Sequence, residues 1–333
     1  MLKIVGKKEF IKLLDSLAKE FEIIGPKKLA GKGVFYSPVT DAQDLYLGGE
    51  FTVEPAKKFF LMPSEYLFEN KFADGEISVE ELPLPKAKRI VIGLRPCEAR
   101  GLELLDKVFS SEHKDSSYVS NRERSIIIGL ACSKPDRSCF CTSLGGSPVE
   151  TRGLDALIFT SEDSGELMLD ILTDKGQTIF SSLGEAPDEE RQKSWKQELE
   201  RTEGLVRKVK IPETLRDCFE SSYWKEVSGP CVSCGICTYL CPTCHCFNLI
   251  DEERKRLRCY DGCSFGDFTL ETSGENPRPT KKERYRQRVF HKFDYFKKNF
   301  GENLCVGCGR CIRYCPVKMD ISEIVANAPL KLP

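Results

Sequence analysis

Two runs of cysteine near the end of the chain leave it little freedom in what it can fold around. Cys231, Cys234, Cys237 and Cys241 are followed by Pro242, and Cys305, Cys308, Cys311 and Cys315 by Pro316. Each run reads C-x2-C-x2-C-x3-C-P. Three thiols at that spacing curl around one corner of a cubane, the proline turns the chain away, and the fourth thiol crosses to the neighbouring cluster. A structural zinc site takes four ligands in two separated pairs instead. The spacing therefore predicts two [4Fe-4S] clusters, one held by Cys231, Cys234, Cys237 and Cys315, the other by Cys305, Cys308, Cys311 and Cys241.

With 333 residues, the chain is long enough for two domains. Apolar residues make up 40% and charged residues 30%, with a net charge of -1. That balance excludes a disordered class and gives no overall bias toward nucleic acid. The 17 cysteines cluster in ligand spacings, and no apolar stretch follows the first lysines, so the expected compartment is reducing and cytoplasmic. The longest apolar runs, Ile90 to Leu94 and Ile126 to Ala131, fall far short of the roughly 20 residues a spanning helix needs. Direct membrane insertion is not expected.

Phe10, Ile11, Leu13, Leu14, Leu17 and Phe21 share one helical face, which ends before Gly25-Pro26. From Gly31 to Leu82 short apolar pieces alternate with Pro, Gly and Asp, the pattern of strands and turns. Arg89 to Leu94 reads as a strand, Glu98 to Phe109 as a helix and Ser125 to Leu130 as a second strand. A right-handed crossover makes those strands parallel. Ala156 to Thr160 and Leu167 to Thr173 predict two more strands joined by a polar turn over Ser161 to Gly165. The densely charged stretch from 187 to 209 suggests a boundary, giving an α/β (α+β) domain over 1–205 and a ferredoxin-like dicluster domain over 206–333. Pro212 to Lys225 reads as a connecting helix.

The two cysteine runs are separated by residues 242–304, far more than a compact dicluster fold uses, so a long, largely helical insertion is expected there. It holds Cys244, His245, Cys246, Cys259 and Cys263. His245 is a possible ligand, though thiols packed beside a cluster and hydrogen-bonding its sulfurs are the favoured reading. A basic stretch from Arg278 to Lys298 follows. It reads as a solvated helix face or a docking surface for an acidic partner, and least as a nucleic-acid site, because Phe290, Phe293, Tyr295, Phe296 and Phe300 are spaced like a helix core.

Cys97, Cys132, Cys139 and Cys141 form a further set. Cys97 and Cys132 follow the two parallel strands and so share one sheet edge, where α/β folds place their sites. Cys97 also opens a helix, whose N–H groups favour a thiolate. Four thiols there can hold a third [4Fe-4S] cluster or a zinc ion, and buried free cysteines are the alternative. Iron and sulfur is the expectation.

Taken together, Arg95-Pro-Cys-Glu98, Cys139-Phe-Cys141, Cys241-Pro-Thr-Cys-His-Cys246, Asn276-Pro-Arg-Pro279, His291-Lys-Phe293 and Cys305-Val-Gly-Cys-Gly-Arg-Cys311 resemble one family of iron–sulfur subunits. That family is typified by sulfhydrogenase beta and by the iron–sulfur component of anaerobic sulfite reductase. The resemblance covers most of the chain. It implies a subunit beside an FAD- and NAD(P)-binding oxidoreductase partner that exchanges electrons with a terminal hydrogenase, sulfite reductase or heterodisulfide-reductase-like subunit. It also favours Cys97, Cys132, Cys139 and Cys141 as a ligand set. Relatives commonly carry a Trp-Asp-Ser-Cys segment where this chain has Tyr260-Asp261-Gly262-Cys263, preceded by Cys259.

The leading functional expectation is a non-catalytic electron-transfer subunit. With His113, His245 and His291 as its only histidines and no Ser/His/Asp or paired-carboxylate pattern, the chain offers no catalytic constellation. Gly31-Lys32-Gly33 lacks the third glycine of a dinucleotide fingerprint. The alternative is a reductase with its own flavin or small-molecule site in the N-terminal domain. A DNA-binding redox regulator fits least, because no helix-turn-helix signature accompanies the basic stretch.

Overall fold

The computed structural model describes residues 1–73, 75–160 and 165–329. Its strands are β1 (Leu2–Gly6), β2 (Glu22–Leu29), β3 (Gly33–Pro38), β4 (Ser64–Ala73), β5 (Glu76–Glu81), β6 (Arg89–Leu94), β7 (Ser125–Leu130), β8 (Ala156–Thr160), β9 (Glu166–Ile171), β10 (Phe247–Glu252) and β11 (Lys255–Tyr260). The helices are α1 (Lys7–Leu17), α2 (Pro96–Phe109), α3 (Ser116–Glu123), α4 (Asp174–Phe180), α5 (Glu189–Gly204), α6 (Tyr223–Ser228), α7 (Ile236–Tyr239), α8 (Lys281–Phe290), α9 (Phe296–Phe300), α10 (Arg310–Arg313) and α11 (Ile321–Ala326). A π-helical turn, His291–Tyr295, joins α8 to α9. The turn expected at Ser161 to Gly165 falls, over 161–164, outside the described residues. Among the described residues no helix is long and apolar enough to cross a membrane.

Seven strands form one sheet in the order β1-β9-β8-β7-β6-β2-β3. Its centre, β2, β6, β7 and β8, is parallel. Every residue of β6 and β7 is buried, as expected of parallel strands covered on both faces. On one face Phe10 and Leu14 of α1 and Phe180 of α4 pack against Ile90, Ile92 and Ile128. On the other, Leu102 and Leu105 of α2 and Tyr118 of α3 pack against Val91 and Ile127. The β6–α2–β7 crossover therefore delivers the ends of both strands to one edge, as its sequence predicts.

A second sheet runs β10-β11-β4-β5. Here the expectation of a largely helical insertion is corrected: its first part is the β10–β11 hairpin, and its helix is confined to a 3-10 turn at Asp267–Thr269 and to residues 281–300. The hairpin forms because Phe247-Asn-Leu-Ile and Lys255-Arg-Leu-Arg-Cys-Tyr260 suit a pleated surface, with Glu253 turning the chain at φ 54°. Its partner is β4, from the other end of the sequence. The expected helix over Pro212 to Lys225 also shortens, to a single 3-10 turn at Arg216–Cys218 and then α6. Leu215, Cys218 and Trp224 are pinned in a separate core, and the Cys218 thiol donates to the Leu215 carbonyl at 3.0 Å.

Arg258 of β11 is the polar tie between this sheet and the helical layer. Its side chain is 3% exposed and forms ion pairs with Glu65 of β4 and with Asp115, the residue that caps α3. Replacing Arg258 with Met leaves two carboxylates largely buried without their cation, which costs on the order of 3 kcal/mol. Thermal melting of the anaerobically purified variant should show a clearly lowered midpoint. An unchanged midpoint would show that the hairpin is held by its strand pairing alone.

Candidate metal centre

The first cysteine run loops around the start of α7. Gly235 stands at φ 74°, and a Cβ there would lie 2.4 Å from the Phe265 ring, so the tight turn requires glycine. Cys231, Cys234, Cys237 and Cys315 line one cavity together with Tyr285, Arg288 and Cys311. Backbone amides are aimed at two of the sulfurs: Ser233 N–H donates to Cys231 Sγ at 3.4 Å and Met319 N–H to Cys315 Sγ at 3.3 Å. Such bonds fix the orientation of a sulfur that could act as a ligand. Cys234 is exposed, so this cavity opens at the surface.

The second group lies deeper. Burial pushes the Cys305 thiol up to about 11, with the Lys292 ammonium opposing. Cys311 is likewise raised by burial, opposed by Arg288. Cys241 is the exception: a hydrogen bond from Cys244, helped by Lys292 and Arg288, outweighs burial and holds it well below the ordinary thiol value. Lys292 Nζ donates to Cys241 Sγ at 3.3 Å, and Thr243 Oγ1 lies 3.2 Å from the same sulfur.

At the sheet edge, Cys97 sits in the first turn of α2 and Cys132 just beyond β7. Burial raises all four thiols of this region, those of Cys139 and Cys141 to about 12. The charge of Cys132 contributes to the rise at Cys97, Cys139 and Cys141, so it lies within electrostatic reach of each. Arg95 opposes the rise at Cys132.

This edge is pressed directly against the second cysteine run. The Phe140 amide donates to the Gly307 carbonyl at 2.9 Å, and Cys139 Sγ lies 3.8 Å from the Cys308 carbonyl. A Cβ on Gly307 would fall 2.6 Å from the Cys141 nitrogen, and one on Gly309 2.2 Å from Ser138 Oγ. Both glycines have positive φ, 64° and 72°. Arg310 then crosses into the N-terminal part, where it meets Glu98 at 3.1 Å and Thr52 Oγ1 at 2.8 Å. Glu98 is fixed there by Tyr36 Oη at 3.0 Å and the Ala56 amide at 2.9 Å.

The donor set suits iron–sulfur clusters. Among the described residues no three His, Cys, Asp or Glu side chains gather tightly enough for a single metal ion, whereas the Cys231 group rings a cavity, as a cubane requires. Thiols that burial pushes to 11 or 12 ionise only when a bound cation deprotonates them. Arg310 Nη1, buried and without a hydrogen-bond partner, suits an acceptor on such a group.

The remaining cysteines divide. The Cys263 amide donates to Cys246, Cys244 Sγ accepts from Arg288 Nη1 at 3.2 Å, and Cys259 sits in β11 opposite Asn248. His245 Nδ1 lies 3.0 Å from the Thr243 carbonyl, and its ring packs edge-on to His291 at 5.4 Å. Burial depresses the two histidines to about 4 and about 3, so both are neutral. Sequence reasoning missed Arg288, Lys292 and Arg310. Arg288 and Lys292, inside the stretch expected to be a solvated or docking face, are each 3% exposed. The signal that could have found them is spacing: they lie one turn apart, in step with Val289, Phe293 and Phe296.

Cysteine groups of this number and spacing, on a mixed α/β scaffold, define an iron–sulfur protein built for electron transfer. Residues 230–319 match the family described as a 4Fe-4S dicluster domain. The sulfhydrogenase 2 subunit beta of Pyrococcus furiosus is 33% identical over 309 residues, covering 87% of each chain. The chain belongs to the sulfhydrogenase beta subunit family and is an iron–sulfur electron-transfer subunit carrying [4Fe-4S] clusters. No solved structure matches it.

Arg310 and Glu98, 0% and 1% exposed, make the seam between the two cysteine regions testable. Arg310→Met strands a buried carboxylate and is expected to cost about 3–5 kcal/mol. Adding Glu98→Gln should restore part of the loss, read as a partial recovery of the melting midpoint. Strictly additive losses would show that the two side chains do not act as a pair.

Proposed function

We propose that the chain is a wire of three [4Fe-4S] clusters in series. Cys97, Cys132, Cys139 and Cys141 hold one terminus within residues 1–205. Cys305, Cys308, Cys311 and Cys241 hold the middle cluster, and Cys231, Cys234, Cys237 and Cys315 hold the other terminus, both within residues 206–333. The observation that carries this reading is the backbone contact of Ser138–Cys141 with Gly307–Gly309, which sets the N-terminal thiols beside the second run. When bound, each cluster supplies one-electron exchange without proton or group transfer.

The chain's own residues supply insulation and order. Phe140 and Leu144 are buried in the same core as Tyr285, Phe290 and Phe293, which keeps water from the middle of the path. Exposed Cys234 and Val232 give the Cys231 terminus an edge at which a partner can exchange electrons. Lys281 Nζ, on the carbonyls of Gly229 and Cys231 at 2.9 and 3.0 Å, gives that edge positive charge. Family membership supports one partner that is an FAD- and NAD(P)-binding oxidoreductase subunit. The other is a terminal hydrogenase, sulfite reductase or heterodisulfide-reductase-like subunit, the complex residing in the reducing cytoplasm.

Iron analysis of anaerobically purified protein tests the number of clusters. About twelve irons per chain supports three cubanes, and about eight leaves the N-terminal thiols without one. Cys139→Ser should lower the count by about four and leave the spectroscopic signals of the other two clusters intact. Loss of a signal from the C-terminal pair instead would show that the thiols are wrongly grouped.

A further inference from the structure

Lys292 is buried as deeply as an apolar core residue, at 3% exposure. Its three N–H bonds are all accounted for: Cys241 Sγ at 3.3 Å, Thr243 Oγ1 at 3.0 Å and the Leu304 carbonyl at 3.2 Å. The Leu304 amide in turn donates to the Lys292 carbonyl at 2.7 Å. Lys292 therefore grips the peptide just before Cys305 with both backbone and ammonium, while the same ammonium touches Cys241. One thiol of the first cysteine run and the backbone that leads into the second are joined through this one side chain. Lys292 lies in the π-helical turn, a local distortion that recurs at functional sites.

None of its three partners is a carboxylate. Asp294, two residues on, is engaged instead by Thr214 Oγ1 at 3.0 Å and Arg216 at 3.5 Å. The neighbouring charges make matters worse: Arg288 reaches the Cys237 carbonyl at 2.6 Å, and Lys57 the Cys244 carbonyl at 2.6 Å. Taking an ammonium out of water costs several kcal/mol unless an opposite charge accompanies it. Three buried cations among thiols and carbonyls require a substantial negative partner. A cubane bound through four thiolates is such a partner, since its net charge is negative in either oxidation state.

We propose that Lys292 is the built-in counter-charge of the Cys241, Cys305, Cys308 and Cys311 site and sets its reduction potential. This rests on the ligand grouping given under the proposed function. Reduction adds one electron and no proton, so the site gains one unit of negative charge. A fixed ammonium bonded to a ligand sulfur stabilises the reduced state more than the oxidised one and raises the potential. Lys292 thereby makes the middle of the path a better electron acceptor than the same four thiolates would be alone. It positions charge and exchanges no electron itself.

The test is an EPR-monitored redox titration of the full-length protein with Lys292 replaced by Met, Gln or Arg. Spectra of the wild type and of Cys305→Ser are recorded first, and the signal lost in Cys305→Ser identifies the site. Its midpoint should move to more negative potential in Lys292→Met and Lys292→Gln, and stay near the wild-type value in Lys292→Arg. The other two clusters should move less. Loss of iron from both neutral variants with retention in Lys292→Arg would support the same need for positive charge. An intact cluster with an unmoved midpoint in Lys292→Gln overturns the proposal. Absence of any signal dependent on Cys305 overturns the ligand grouping beneath it.

Discussion

The structure depends on one close backbone approach. The segment Ser138–Cys141 lies against Gly307 and Gly309 so tightly that any side chain at either glycine would collide with it. Through that contact a sheet-edge site built by β6, α2 and β7 becomes continuous with a cysteine run from the far end of the chain. Arg310, the residue after the second glycine, extends the seam into the Glu98 site, and Phe140 enters the core formed by α8 and the π-helical turn. A path for electrons needs neighbouring centres held at fixed separation, and interlocked backbone does this better than a flexible linker.

Charge balance follows from the same packing. Thiols in this interior are disfavoured as anions by burial, and cations there by the same loss of water. Each kind is tolerable only because the other is present. Held as ligands of a metal cluster, these thiols would be deprotonated, and the net negative charge of the group would accompany Arg288, Lys292 and Arg310. Arg310 is already partly balanced by Glu98, whereas the contacts of Lys292 are to sulfur, hydroxyl and carbonyl groups. The two regions therefore present different electrostatic surroundings to chemically alike groups of cysteines.

Local features are legible in the sequence and long-range ones are not. The spacing of the two cysteine runs is a property of a few consecutive residues. So is the apolar run that makes up most of β6 and β7, which with the crossover rule places Cys97 and Cys132 at one edge. The pairing of β11 with β4 cannot be read, because a strand pattern says nothing about which distant strand will accept it. The expectation of a mostly helical insertion follows from that blindness. Arg288 and Lys292 read as part of a surface stretch, since a cation facing buried sulfur and one facing water look alike in a sequence. Gly307 and Gly309 gain their meaning only once the 138–141 segment is seen against them. The helix expected before the first cysteine run shortens to α6 because Leu215 and Cys218 face a core that the local sequence does not reveal.

The most direct test of three clusters in series is the EPR spectrum of the fully reduced, anaerobically prepared protein. Paramagnets held side by side broaden and split one another's signals, so the account predicts a spin-coupled spectrum. That coupling should simplify when only the highest-potential cluster is reduced. A fully reduced spectrum that is the plain sum of isolated signals would contradict the arrangement, as would protein rich in zinc and lacking acid-labile sulfide.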